Sequence, residues 1–182
     1  MTAKCKFCKA TATLKVQMSH FCSIEHAYQH ARKLQEQARK RKEAKFKQET
    51  RQRKDKLKSR SEWLKDAQAA FNKYIRLRDS NLPCISCGRF HQGQWHAGHY
   101  LSVGAHPELR FNEKNVWRQC QPCNMHLSGN LVNYRKNLID RIGILEVENL
   151  EGPQDSVKLS IEDLKEIKKK YIDRCKIICN DV

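Results

Sequence analysis

The spacing of apolar residues predicts helices over most of this chain. From Ser61 onward, large apolar residues recur every three or four positions, which is typical of a helix with one face packed on a core. This stripe consists of Trp63, Leu64, Ala67, Ala70, Phe71, Tyr74 and Ile75. The proline-containing segment "SNLPC" follows it and predicts a turn that ends the helix.

Two further helices are predicted near the end of the chain. The first ends at Gly143, and its apolar stripe consists of Leu131, Tyr134, Leu138 and Ile142. The second begins after Ser160, a predicted N-cap, and its stripe consists of Ile161, Leu164, Ile167, Tyr171, Cys175 and Ile178. Residues 84–127 are rich in Gly, His and Cys and predict turns and small strands around metal. The expected fold class is therefore α+β and mostly helical.

The segment from Ala27 to Arg60 shows no apolar stripe. It contains fourteen Lys or Arg residues and four acidic residues, a net charge of +10, without Pro or Gly. These residue types favour a long solvated helix, and a helix unbroken from Glu25 to Leu77 would be roughly 80 Å long at 1.5 Å per residue. The residues predicted to contact DNA phosphates are Arg39, Lys40, Arg41, Lys42, Lys45, Lys47, Arg51, Arg53 and Lys54.

The charge of the whole chain, +16, favours a polyanionic partner, and nucleic acid is preferred to an anionic membrane surface. No apolar run approaches the length of a transmembrane helix, and the first residues lack the apolar region of a signal peptide. We therefore expect a soluble, cytosolic protein that does not bind membranes. In a reducing compartment, nine cysteines favour metal ligands over disulfides.

The first cysteine group predicts a structural zinc site. Cys5 and Cys8 have the two-residue spacing of a zinc knuckle, and Cys22 is followed by His26 at a spacing that suits the first turn of a helix. Three thiolates and one imidazole complete a closed tetrahedral site. His20 is the alternative fourth ligand. The expected organisation is a zinc knuckle at residues 1–26, a basic helix or linker at 27–78 and a third domain at 79–182.

The second cysteine group predicts another zinc site. Cys84-x₂-Cys87 and Cys120-x₂-Cys123 are two knuckles separated by 32 residues, and four thiolates clamp one zinc ion. Cys175 and Cys179 remain after the seven cysteine ligands are assigned, and we predict that both are buried thiols.

The segment between these knuckles carries chemistry that a structural zinc site does not need. It contains "HAGHYLSVGAHPELRFNEKNVWRQCQPCN", in which His99 and Asn115 precede Cys120, and Asn124 follows Cys123. The order of CxxC, His and CxxC-Asn resembles the ββα-metal (H-N-H) nucleases, especially the endonuclease VII group. The resemblance implies that His99 activates water, that Asn115 holds the motif together and that Asn124 binds a catalytic Mg²⁺ or Mn²⁺.

The same motif, the following "LSGNLVNYR", the first knuckle and the basic helix together resemble the phage lambda NinG (Rap) family over essentially the whole chain. This resemblance implies a structure-selective endonuclease of phage recombination, which cuts branched DNA such as Holliday junctions and D-loops in the cytoplasm of the bacterial host. Paired cuts in a pseudo-symmetric junction require two active sites, so we expect a homodimer. Other recombination proteins are further expected partners.

One position departs from the ββα-metal pattern. An aspartate, the first ligand of the catalytic metal, usually stands directly before the base histidine, and here that position is Gly98. His96 could supply the ligand, or His99 could bind the metal while another group activates water, and His126 is a further candidate. This departure sustains an alternative function, a non-catalytic zinc-binding adaptor that holds DNA junctions.

Overall fold

The structure, a computed structural model, describes residues 3–180. Helices account for 57% of the chain and strands are few, which confirms a mixed and mostly helical fold. Among the described helices, none combines the length and the apolar character needed to cross a bilayer. The chain divides between Lys58 and Ser59 into two compact units.

The first unit contains a short hairpin and one long helix. Strands β1 (Leu14–Val16) and β2 (Ser19–Phe21) pair in antiparallel fashion, and helix α1 (Ile24–Leu57) follows. The Ser23 side chain caps α1, since its Oγ accepts a hydrogen bond of 3.2 Å from the His26 amide. This cap sets the start of the helix and places His26 in its first turn.

Helix α1 has no buried residue along its 34 positions, as a solvated helix requires. At 1.5 Å per residue it is about 51 Å long. Lys40 and Lys47 bond Glu36 and Glu43 one turn earlier, at 2.8 Å and 2.7 Å. Because such exposed pairs contribute little to stability, α1 owes its form mainly to residues of high helix propensity.

The unbroken helix from Glu25 to Leu77 is not present. Helix α1 ends at Leu57, and helix α2 (Arg60–Arg78) begins with a cap of its own. The Ser59 Oγ accepts from the Glu62 amide at 3.3 Å, and the Glu62 carboxylate accepts from the Ser59 amide at 2.8 Å. This capping box marks the start of a new helix. Helix α2 therefore belongs to the second unit, which begins at Ser59.

The second unit combines helices with one hairpin. After α2 come β3 (Trp95–His99), β4 (Val116–Cys120), α3 (Leu131–Ile142), α4 (Ile144–Glu151) and α5 (Ile161–Asn180). Strands β3 and β4 are antiparallel, with His99 opposite Val116. Ala97 and Val116 pack with residues of α2 and α5, whereas Trp117 packs with residues of α3 and α4. The hairpin therefore lies between two helical layers.

Helices α3 and α5 confirm the predicted ends and most of the predicted stripes, but Leu131, in the first turn of α3, is exposed. Gly143 ends α3 with a φ of 83°, and Ser160 caps α5 by accepting a hydrogen bond of 3.1 Å from the Asp163 amide. Helix α4 was not predicted, because eight residues show too little periodicity. The expectation that both leftover cysteines are buried is half wrong: Cys175 is buried, but Cys179, in the last turn of α5, is exposed.

A buried carboxylate fixes the hairpin to the end of α2. The Asp79 side chain is 1% exposed and accepts hydrogen bonds from the Arg78 guanidinium at 2.6 Å and from the Arg118 amide of β4 at 3.0 Å. The fold is strongly destabilised when one partner of a buried carboxylate of this kind is removed. Asp79 therefore sets where β4 lies relative to α2.

We expect Asp79→Ala to lower the free energy of unfolding by about 3 kcal/mol, because the half-buried Arg78 guanidinium loses its ion-pair partner and the Arg118 amide loses its acceptor. Denaturant titration of the zinc-loaded protein would measure this change. Asp155→Ala, which removes an exposed carboxylate, is the matched control and should change stability by less than about 0.5 kcal/mol. Equal effects of the two variants would contradict the anchoring role.

Candidate functional site

The structure brings the first predicted ligand set together. The ligand atoms of Cys5, Cys8, Cys22 and His26 lie within 4.8 Å of one another, and the Cys22 Sγ is 2.8 Å from the His26 Nδ1. Three thiolates and one imidazole fit a closed tetrahedral zinc site, so this cluster could hold zinc. His20, the alternative ligand, lies outside the cluster.

The second set also assembles. The sulfur atoms of Cys84, Cys87, Cys120 and Cys123 lie within 4.8 Å of one another. They come from a turn before β3, from the last residue of β4 and from the turn Pro122–His126. This four-cysteine cluster could hold zinc, and a closed site of four thiolates leaves no position for a substrate. Its contribution is therefore the positioning of the chain around it.

The first knuckle of each cluster has the same backbone turn. Lys9 and Gly88, each directly after the second cysteine, have φ angles of 67° and 66°. Their amides donate to the carbonyl oxygens of Cys5 and Cys84, both at 2.9 Å. Burial acts to raise the pKa of the Cys5 thiol, but hydrogen bonds from three backbone amides outweigh it and lower this pKa to about 6. The turn thus favours the thiolate, the form that binds metal.

A cavity of about 570 Å³ is lined by some of the predicted site residues. His99, the last residue of β3, lines it together with Asn124, which directly follows Cys123, and His106 of the loop after β3. None of the described residues that line it is acidic. The hairpin and the turn after β4 therefore bring a potential base and an amide oxygen to one open space.

The environment of His99 determines which ring nitrogen is available. Its Nε2 lies 3.1 Å from the Arg110 carbonyl oxygen. Because a carbonyl only accepts, we assign the proton to Nε2 and a free lone pair to Nδ1. Burial lowers the pKa of His99 below its usual 6.5, although the bond to the carbonyl opposes this effect. At neutral pH the ring is therefore uncharged and able to accept a proton.

Asn115 is completely buried and connects both ends of the loop between β3 and β4. Its Oδ1 accepts a hydrogen bond from the Leu101 amide at 2.8 Å, and its Nδ2 donates to the carbonyl oxygens of Leu101 and Leu109 at 3.0 Å and 3.4 Å. An asparagine that satisfies several backbone groups of an irregular loop holds its shape. This geometry agrees with the structural role that the resemblance implies.

Other predicted residues lie elsewhere. His96 is three positions before His99 on β3 and hence on the opposite face of the strand. Neither His96 nor His126 is among the residues that line the cavity. The residues predicted to contact DNA all lie on α1 of the first unit and are Arg39, Lys40, Arg41, Lys42, Lys45, Lys47, Arg51, Arg53 and Lys54.

Two residues near the second cluster were not predicted. The His91 Nε2 lies 3.1 Å from the Cys87 Sγ, a contact that orients a metal-binding thiolate. The spacing of four residues between Cys87 and His91 could have predicted this contact. Gln119 is completely buried and pairs with His96 across the hairpin. This pairing depends on the register of the two strands, which cannot be read from the sequence.

The comparisons with known proteins show the family of this chain. The family described as "Bacteriophage Lambda NinG protein" matches residues 1–181. The chain belongs to this NinG family. Protein ninG of Escherichia phage 933W is 44% identical over 188 residues, which cover 97% of this chain and 94% of that protein. No solved structure matches the chain.

Other NinG relatives match over a shorter region. Protein ninG of Escherichia phage lambda is 50% identical over 124 residues, 68% of this chain and 61% of that protein. Protein ninG of Salmonella phage P22 is 50% identical over 120 residues, 66% of this chain and 59% of that protein. The chain thus matches about three fifths of the length of these two relatives.

For this NinG family chain we expect Cys84→Ser to bind about one zinc ion fewer per chain, because a tetrahedral site that loses one thiolate holds zinc weakly. Atomic absorption after gel filtration would measure bound zinc. The matched control is Cys179→Ser, which changes an exposed cysteine outside both clusters and should leave the zinc content unchanged. Equal zinc contents in the two variants would show that the four-cysteine cluster is not a zinc site.

Proposed function

We propose that this NinG family chain is a metal-dependent, structure-selective DNA endonuclease that acts on branched recombination intermediates such as Holliday junctions and D-loops. The observation that carries the proposal is the cavity shared by His99 and Asn124. The order of β3, β4 and α3, with these residues at the end of β3 and in the turn before α3, supports the resemblance to ββα-metal nucleases.

In this proposal His99 is the general base. Its Nδ1 would take a proton from the water that attacks the scissile phosphodiester, while the bond from Nε2 to the Arg110 carbonyl holds the ring in position. The uncharged ring that burial favours is the form that this step needs. Because Asn115 fixes the loop that contains Arg110, it would act as a positioning residue.

Asn124 would bind the catalytic Mg²⁺ or Mn²⁺ through its amide oxygen, a hard ligand that these ions prefer. A bound ion would stabilise the charge that develops on the phosphate and on the leaving oxygen. The described residues of the lining offer such an ion neutral donors, His99 and Asn124 among them, and no carboxylate. The structural role of the four-cysteine cluster is to hold Asn124 in place.

The basic helix α1 would supply affinity for DNA. Contacts between its Lys and Arg side chains and phosphates carry no sequence information, which suits an enzyme that recognises DNA shape. Two cuts in one junction need two active sites, and a homodimer would provide them. Such an enzyme would act in the cytoplasm of the bacterial host, together with other recombination proteins.

The alternative is a non-catalytic adaptor that holds branched DNA. It is favoured by Gly98, which cannot supply the carboxylate that usually binds the metal, and by the lack of acidic residues among the described residues of the cavity lining. The two functions differ in whether DNA is cut, because both require that a junction is bound.

We expect His99→Ala and Asn124→Ala to reduce cleavage of a synthetic four-way junction in Mg²⁺ or Mn²⁺ by about 10²-fold or more, since each removes a group that the chemistry needs. Denaturing gels of labelled strands would measure the rate, and gel shifts would measure binding, which should be unchanged. His30→Ala, a histidine of α1 outside the cavity, is the matched control and should cut normally.

Two further conditions complete this experiment. Chelation of the divalent ion should stop cleavage, and linear duplex should be cut more slowly than the junction. The wild-type rate should decline in acid as the ring gains a proton, with a midpoint below pH 6.5, because burial lowers the pKa of His99 below its usual value. Tight binding of the junction without any cut in either metal would favour the adaptor.

We expect the triple variant Arg41→Gln, Lys42→Gln, Lys45→Gln to bind junctions more weakly and with less dependence on salt. Each lost phosphate contact should reduce the slope of log affinity against log salt by about 0.9. Fluorescence anisotropy at several salt concentrations would measure both quantities. The control is a second triple variant, Lys158→Gln, Lys169→Gln, Lys176→Gln, which removes the same charge from exposed positions of the second unit. An equal loss of affinity in this control would contradict a specific role of α1.

A further inference from the structure

Gly98 has no room for a side chain in this structure. It stands where the ββα-metal pattern places the first metal ligand, directly before His99. A Cβ atom on Gly98 would overlap the Gln119 Oε1 and lie 2.9 Å from the Gln119 Cδ. The space of the missing side chain is therefore filled by an amide group from the neighbouring strand.

The orientation of the Gln119 amide is fixed by its partners. Its Nε2 donates to the Gly129 carbonyl oxygen and to the Ser86 Oγ, both at 2.6 Å. Because the Gly129 carbonyl can only accept, the nitrogen has to face Gly129, and the oxygen faces Gly98. That Oε1 is buried and has no hydrogen-bond partner among the described residues, which is an unfavourable state for an acceptor in a completely buried side chain.

His96 presents a second atom of this kind. It is paired directly with Gln119 across the hairpin, so the two side chains extend from the same face of the sheet. The His96 Nε2 is also buried without a hydrogen-bond partner in the part of the chain that the structure describes. Residues 96 and 98 share this face because side chains alternate along a strand. The two buried atoms without a described partner, an amide oxygen and an imidazole nitrogen, therefore lie on the face of the sheet to which a side chain at position 98 would extend.

We propose that the Gln119 Oε1 and the His96 Nε2 bind the divalent cation in place of the carboxylate that Gly98 lacks. Amide oxygens and imidazole nitrogens are both established ligands of divalent ions, and a cation would satisfy both buried atoms. Gly129, which holds the Gln119 amide, lines the same cavity as His99 and Asn124, so the Gln119 amide adjoins the wall of the candidate active site. This inference rests on the proposed function, because it names ligands for the catalytic metal ion of that function.

The test is a titration of the zinc-loaded, full-length chain with Mn²⁺, in which electron paramagnetic resonance measures the free ion. Gln119→Met and His96→Phe should each raise the Kd for Mn²⁺ by roughly tenfold or more, since each removes a ligand. Gln119→Glu places a carboxylate oxygen at the same position and should lower the Kd below that of Gln119→Met. These readouts do not depend on cleavage.

Ser86→Ala is the matched control. It removes one acceptor of the Gln119 Nε2 and leaves the Oε1 in place, so the Kd for Mn²⁺ should stay at the wild-type value. If Gln119 serves only as a structural brace, Ser86→Ala and Gln119→Met should both lower the melting temperature, and neither should change the Kd. Zinc content and circular dichroism would establish that each variant is folded. If Gln119→Met does not fold, the Kd values of His96→Phe and Gln119→Glu for Mn²⁺ test the two ligands.

The inference is overturned if the folded variants bind Mn²⁺ as tightly as the wild type, or if the wild type binds no Mn²⁺ at all. Junction cleavage by the wild type, measured alongside, separates this result from the fate of the proposed function. Mn²⁺ bound through Gln119 and His96 without cleavage supports the cation site and contradicts the nuclease. Cleavage with an unchanged Kd in the variants supports the nuclease and contradicts these two ligands.

Discussion

The four-cysteine cluster determines where the residues of the candidate site lie. Cys84 precedes the hairpin, Cys120 ends β4, and Cys123 lies in the turn whose next residue is Asn124. A single tetrahedral ion bound by these thiolates would fix all three segments relative to one another. Asn124 is one peptide bond from a ligand, so its position would depend directly on the metal. The free energy of zinc binding would then become part of the folding free energy of this unit.

Buried polar side chains complete what the cluster begins. Asp79, Asn115 and Gln119 are all at most 1% exposed, and each bonds backbone atoms of a neighbouring segment. The loop between β3 and β4 places Tyr100 and Leu109 in a core cluster and packs Phe111 against another, and the hydrogen bonds of Asn115 add order to its backbone. Such networks are stable only when nearly every member is satisfied. The Gln119 Oε1, which has no hydrogen-bond partner within residues 3–180, is therefore an exception among them.

The parts of this structure that depend on local spacing could be read from the sequence. Both ligand sets follow from cysteine spacing, and the ends of α3 and α5 follow from Gly143 and Ser160. The break at Ser59 was also readable, since Ser59 and Glu62 form the pattern of a capping box, but the strong helix propensity on both sides concealed it. The role of Gln119 could not be read, because it depends on the register of two strands that are far apart in the sequence.

A cation site built from neutral ligands has a consequence for DNA binding. In the proposed enzyme, Gln119 and His96 bring no negative charge to the ion, and none of the described residues that line the cavity is acidic, so a scissile phosphate meets no like charge when it enters. The phosphate would then supply an anionic oxygen to an ion that the protein binds only through neutral ligands. Binding of the ion and of DNA must then strengthen each other by the same factor, because coupling between two ligands is reciprocal. The exposed basic helix would supply affinity at phosphates away from the site, and the metal centre would become complete only where DNA is already bound.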